Sequence, residues 1–318
     1  MIICQPPIRP KNPHLQSFLA SSRLRLKRLT QNPPFQAAAN EVKITTPLAD
    51  LQGIHSPQAE SNHLVVLIHG WEGSAQSTYI QLLADSLYNA GHAVFRLNMR
   101  DHGDSHSWNE PLFHSCRLDE MLAALDWIAE NNPNHKLSLC GFSLGGNFAL
   151  RMAAQTTQNL HKVIAVSPPI NPKNSMQAIQ DLQSYQKYFL KKWRRSLAIK
   201  QDYFPHLFEG HNWKEEQSLA ALTAQFVEKH TEFNHVNDYF DGYTITPKVI
   251  RKLKTQAQII TSWDDPVIPV KDLSTIDRLP QLKCITTAHG GHCGFVQGLS
   301  MRSWVEQHIV NEITNEST

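Results

Sequence analysis

The chain has 318 residues, 41% hydrophobic and 18% charged, with 30 Lys+Arg against 28 Asp+Glu. That length suffices for a full core without disulfide or metal staples, and a net charge of +2 gives no field to attract nucleic acid. No stretch approaches the roughly 18 apolar residues of a membrane span, and Pro6, Pro7 and Pro10 interrupt the place where a secretory apolar segment belongs. The 5 cysteines show no CxxC spacing, which argues against a disulfide framework or zinc ribbon and points to a reducing, cytoplasmic compartment.

Residues 1–40 read as an N-terminal arm packed on the body, in which Arg23, Arg25, Lys27 and Arg28 alternate with leucines as a solvated basic segment. The run is short and unanchored, so weak association with a membrane surface is the most it suggests. Glu41 to Thr46 and Leu51 to His55 form a predicted hairpin around Pro47 and Asp50. Leu64 to Ile68 is a continuous β-branched and apolar run, the pattern of a parallel strand buried on both faces. Tyr79 to Asn89 has helical spacing and Gly91 to stop it. Strands are then predicted at His92–Asn98, Lys136–Cys140 and Lys162–Val166, with helices at Leu118–Glu130 and Asn147–Gln155 between them. This rhythm means right-handed βαβ units and a mostly parallel sheet with helices on both sides. It stops at Pro168-Pro169 and returns with a strand at Gln256–Ser262, a helix at Val270–Ile276, a strand at Leu282–Thr287 and a last helix at Ser303–Ile313. The polar, aromatic-rich segment between is a predicted helical cap, 170–248, inserted into a core made of 41–169 and 249–318.

Gly141-Phe142-Ser143-Leu144-Gly145-Gly146 falls where a strand ends and a helix begins. A nucleophile on so tight a turn needs small residues two positions to either side, and Gly141 and Gly145 supply them. A serine hydroxyl needs a base to take its proton and an acid to orient that base. Asp264 and Asp265 follow one later strand; His289 and His292 follow another. Adjacent extended residues point to opposite sides, so one aspartate faces the histidine, and spacing does not choose between them. Glycines on both sides favour His292. The order Ser, Asp, His is that of an α/β-hydrolase. Such chemistry also needs N–H donors for an oxyanion. Leu144, after the serine, supplies one backbone amide, and Trp71, in the His69-Gly70-Trp71-Glu72-Gly73-Ser74 loop, supplies the second.

These motifs resemble the YheT-like branch of the α/β-hydrolase superfamily, over nearly the whole chain. Asn12-Pro13-His14-Leu15-Gln16-Ser17 is similar to its NPHLQT signature, with Ser17 where threonine is usual. His69 to Ser74 matches its HGxEGS loop, and Gly290-Gly291-His292-Cys293-Gly294-Phe295 its GGHxGF. Asn98-Met99-Arg100-Asp101 stands where relatives carry an N-x-RG turn, with Asp101 replacing the glycine. The resemblance places the acid at Asp265 and implies hydrolysis of carboxylic esters without naming the ester; the expected substrate is a short- to medium-chain or lipid-like acyl ester, and no cofactor is needed. The expected partner is a small-molecule ester; the oligomeric state is open. An acyltransferase or thioesterase would use the same Ser143, Asp265 and His292, and a silent binding protein would keep the fold without the chemistry. The 17 histidines raise a metal hypothesis. Pairs such as His102/His106 lack the supporting framework of a metal site, so none is expected. Lys191, Lys192, Arg194 and Arg195 read as a solvated face, and Cys293 as a buried filler.

Overall fold

The apolar run at Leu64–Ile68 lies within a strand, His63–Ile68, every residue of which is buried. Its alternate side chains enter two separate cores: Leu64, Val66 and Ile68 face one, Val65 and Leu67 the other. This computed structural model describes residues 1–210, 213–276 and 278–315. Two positions of the expected cap, 211 and 212, and position 277 and the last three of the 249–318 segment, lie outside the described residues.

The strands are β1 (Ile2–Cys4), β2 (Asn40–Thr45), β3 (Asp50–Ser56), β4 (His63–Ile68), β5 (Ala93–Leu97) and β6 (Lys136–Phe142). They continue with β7 (Leu160–Val166), β8 (Ala257–Ser262), β9 (Leu282–Thr287), β10 (Val296–Gln297) and β11 (Arg302–Ser303). β1 to β9 form one nine-stranded sheet in the order β1-β9-β8-β7-β6-β4-β5-β3-β2. It is parallel except where the β2–β3 hairpin runs antiparallel and joins β5. The first helices are α1 (Pro13–Ser21), α2 (Pro34–Ala37), α3 (Thr78–Asn89), α4 (Leu118–Asn131) and α5 (Leu144–Gln155). Between β7 and β8 the chain inserts α6 (Pro172–Asp181), α7 (Gln183–Tyr203), α8 (Leu219–His230) and α9 (Val236–Gly242), followed by the short α10 (Pro247–Ile250). α11 (Trp304–Thr314) closes the chain.

α4 and α5 cover one face of the sheet, while α3 and α11 cover the other. The inserted helices share a third core, in which Leu190, Trp193, Leu222 and Phe226 meet Val267 and Ile268 of the β8–β9 loop. Two expectations are corrected. Val270–Thr275 is a 3₁₀ turn rather than an α-helix, the tighter form suited to a six-residue link. The basic arm is not solvated at its centre: Arg25 is fully buried, paired with Glu306 of α11 and donating to the carbonyls of Ala20 and Met301. A buried guanidinium persists only with such partners. Among the described residues no helix is long and apolar enough to cross a membrane.

Several histidines are core residues. Burial holds His69 and His106 near a pKa of about 4, and His63 and His114 near about 3. The unfolded chain binds protons to these rings below about pH 6.5 while the folded chain does not. Their contribution to stability is therefore complete above that pH and declines as the solution is acidified toward pH 4. The urea midpoint should fall steeply between pH 7 and pH 4; a flat profile there would contradict the burial of neutral imidazoles.

Candidate active site

β6 ends at Phe142 and α5 begins at Leu144, leaving Ser143 alone on the turn at φ 52° and ψ −122°. That conformation is strained for a residue with a Cβ. Crowding explains the flanking glycines: a Cβ on Gly141 would stand 2.0 Å from the Gly145 carbonyl oxygen, and one on Gly145 2.3 Å from that of Ile68. The helix then starts directly after the serine, at Leu144, three residues earlier than periodicity alone predicts.

Ser143 Oγ lies 2.9 Å from His292 Nε2, and His292 Nδ1 lies 3.0 Å from Asp265 Oδ2. The second oxygen of Asp265 accepts the amides of Val267 and Ile268 at 2.8 and 2.9 Å, so the carboxylate cannot rotate away. Burial of the His292 ring disfavours the imidazolium, but the Asp265 carboxylate and the neighbouring Cys293 together outweigh it and raise the pKa above the ordinary imidazole value. The neighbouring aspartate turns the other way, as alternation requires: Asp264 accepts from His289 Nδ1 at 3.1 Å and from the Gly291 amide at 2.9 Å. The structure thus brings together Ser143, Asp265 and His292, and gives Asp264 and His289 to the loop that carries His292.

Trp71 and Leu144 both line the cleft beside Ser143. Their amides find no acceptor among the described residues, whereas those of Gly70, Glu72 and Gly73 are all engaged. The Gly70 carbonyl accepts from His69 Nδ1 at 2.8 Å and from the Gly73 amide at 2.9 Å. This fixes the Gly70–Trp71 peptide plane by its oxygen and leaves its N–H free. His69 is neutral because it is buried, so its Nε2 can accept the Met99 amide at 3.3 Å. His102 repeats the device: Nδ1 donates to the Arg100 carbonyl at 2.7 Å and Nε2 accepts the Glu72 amide at 3.2 Å. Gly70 also donates to the Tyr79 hydroxyl at 3.0 Å, a contact that periodicity could not have suggested.

The inserted helices close over this loop. The Trp71 ring stacks on Phe189 and meets Trp193 edge-on. One stripe of α7 grips the core with polar groups. Lys192 donates to the Glu72 carbonyl at 3.1 Å, Ser196 lies 2.8 Å from His106 Nε2, and Lys200 pairs with Asp101 at 2.8 Å. Lys192 and Arg194, which donates to the Glu216 carbonyl, therefore correct the expectation of a wholly solvated basic face. Asp101 sits at φ 56°, the left-handed region that suits the glycine of the resembling turn. Its departure from glycine was the sequence's one trace of a partner, and that partner is Lys200, 99 residues away. The cleft under α7, about 790 Å³ with the open space at its mouth, is lined largely by apolar side chains including Phe189, Trp193, Val267 and Ile268. Cys293 is buried in the core formed with α3 and α11, with its thiol 3.9 Å from the Val166 carbonyl oxygen. Among the described residues no group of three His, Cys, Asp or Glu side chains is arranged to hold a metal ion.

A mostly parallel sheet carrying these residues on loops at one end of its strands, under a helical insertion, defines the alpha/beta hydrolase architecture. The chain belongs to the alpha/beta hydrolase fold family, which matches residues 63–299. It is 23% identical to the esterase-named protein YheT of Escherichia coli (strain K12), over 95% of this chain and 90% of that protein. It is 24% identical to the monoacylglycerol lipase ABHD2 of Danio rerio, over 95% and 76% of the two chains. Among solved structures, the Pyrococcus furiosus esterase Pf2001 superposes with a TM-score of 0.58 at 16% identity, covering 86% of this chain and 90% of that one.

The Asp101–Lys200 pair ties the inserted helix α7 to the loop after β5, and both side chains are buried. Lys200→Met should cost about 3–5 kcal/mol by stranding the carboxylate. The double variant Asp101→Gly/Lys200→Met should recover most of that loss, since it removes the stranded charge and the backbone strain together. Equal unfolding midpoints for the single and double variants would contradict this account.

Proposed function

We propose that the protein is a serine esterase cleaving carboxylic esters with short- to medium-chain or lipid-like acyl groups. The observation that carries this reading is the continuous Ser143–His292–Asp265 line, at 2.9 and 3.0 Å, opening onto an apolar cleft. The esterase and lipase names of the relatives agree with ester chemistry.

In the proposed reaction Ser143 Oγ attacks the ester carbonyl carbon as His292 Nε2 takes its proton. Negative charge gathers on the carbonyl oxygen, where the Trp71 and Leu144 amides receive it; the first turn of α5 adds its positive end. The tetrahedral intermediate collapses by breaking the C–O bond to the alcohol, which leaves with the proton from His292. Water then attacks the acyl-serine, gives its proton to His292, and the acid departs as that proton returns to Ser143. Asp265 holds the imidazole in the tautomer with Nδ1 protonated and stabilises the imidazolium at each step. An acyltransferase would replace water with an alcohol, so the product ratio with added alcohol separates the two.

A panel of p-nitrophenyl esters of increasing chain length should be hydrolysed by the wild type and lost, by at least about 10³-fold in kcat, in Ser143→Ala. Asp265→Asn should lower kcat by about 10³- to 10⁴-fold. Because Asp265 raises the His292 pKa, its removal should also move the acid limb of kcat/KM to lower pH. Unchanged rates in Ser143→Ala, or an acid limb moving upward in Asp265→Asn, would refute the assignment.

A further inference from the structure

The segment Asn12–Ser17 lies more than a hundred residues before Ser143, and the steps above give it no task. Its side chains are nonetheless bonded to the loop that carries His292. Asn12 Oδ1 caps α1 by accepting the Leu15 amide at 2.9 Å. Gln16, fully buried, accepts the Val296 amide at 2.7 Å and donates to the Val296 carbonyl at 3.1 Å. In this way it completes the backbone bonds of a residue four positions after His292. Ser17 is closer still. Its hydroxyl donates to the Pro13 carbonyl at 2.7 Å, which aims a lone pair outward, and the His292 amide donates into it at 2.8 Å.

The carbonyl end of the same Gly291–His292 peptide accepts from Ser262 Oγ at 2.9 Å. One peptide unit is therefore held from both sides, by a hydroxyl of β8 and a hydroxyl of α1. Contact is close enough that a Cβ on Gly291 would stand 2.3 Å from the Pro13 carbonyl oxygen, and one on Gly294 2.4 Å from that of Gln16. Gly291 also takes φ 54°, which glycine permits. His14 extends the arrangement to the cap, with Nδ1 3.2 Å from the Tyr185 hydroxyl of α7.

We propose that α1 is a positioning element of the active site, in which Ser17 fixes the backbone that aims the His292 ring and Gln16 fixes the same loop beyond it. This rests on His292 being the general base. Neither Ser17 nor Gln16 touches the reacting atoms; each acts through the His292 loop. Sub-ångström errors in the aim of a base are costly, because proton transfer needs the aligned near-attack geometry.

The test compares wild type, Ser17→Ala and Ser17→Thr; threonine keeps the hydroxyl. Three readouts are taken: the low-field proton NMR signal of the His292 Nδ1–H against Asp265, ester kinetics, and the melting temperature. Ser17→Ala should shift or broaden the NMR signal and lower kcat by roughly 10- to 100-fold with KM within about twofold. Ser17→Thr should restore both. A wild-type signal and kcat in Ser17→Ala would overturn the proposal, as would a loss that tracks melting temperature and is not rescued by threonine. If the wild type turns over no ester, the esterase reading fails, while the NMR comparison of the three proteins still decides the role of Ser17.

Discussion

The close approach of α5 to the ends of β4 and β6 sets the geometry of the whole site. Gly145 rests against the carbonyls of Ile68 and His69 so tightly that a methyl group there would stand 2.3 and 2.4 Å from them. With the helix that near, its first residue must follow the strand after a single residue, and Ser143 takes the strained conformation that lifts its hydroxyl out of the sheet. The same approach sets the Leu144 amide, at the helix start, beside the loop that follows β4. The order β7-β6-β4 then places the serine turn and the Trp71 loop side by side without any long connection.

Rigidity around that contact comes mainly from side chains bonded to backbone groups. His69 and His102 are buried neutral rings, each donating from Nδ1 to a carbonyl and accepting an amide at Nε2. A neutral imidazole suits this because one ring offers a donor and an acceptor in a plane at fixed separation. Desolvation lowers both pKa values, so the tautomer persists at neutral pH. This gives part of the histidine abundance a physical account that involves no metal. Across the cleft, α7 fixes the Trp71 loop through Lys192 and the loop after β5 through Ser196 and Lys200, and its aromatic residues Phe189 and Trp193 wall the apolar cleft beside Ser143.

Features written locally in the chain were readable from it. The parallel strands follow from unbroken apolar runs, the serine turn from glycines at fixed offsets, and the order of the later loops from strand rhythm. The choice of Asp265 over Asp264 was not local: both follow the same strand, and only the positions of His292 and His289 separate them. Arg25 shows the limit most plainly. Its alternation with leucines reads as a solvated stripe, yet Glu306, 281 residues away, draws it into the interior. Ser17 was visible as a departure from the usual threonine, but its bond to the His292 amide spans 275 residues and leaves no periodic signal. The solvated reading of Lys192 failed for the same reason, since its partner is a backbone carbonyl that any residue could provide.

The central claim is that Ser143 carries the acyl group between two half-reactions. Rapid quenching of the protein with a p-nitrophenyl ester, followed by intact-mass and peptide mass spectrometry, tests it most directly. The account predicts a mass increase equal to one acyl group, appearing with the p-nitrophenol burst and located on the peptide containing Ser143. An adduct on another residue, or steady turnover with no acylated Ser143 at any quench time in a protein whose deacylation has been slowed by low pH, would contradict it.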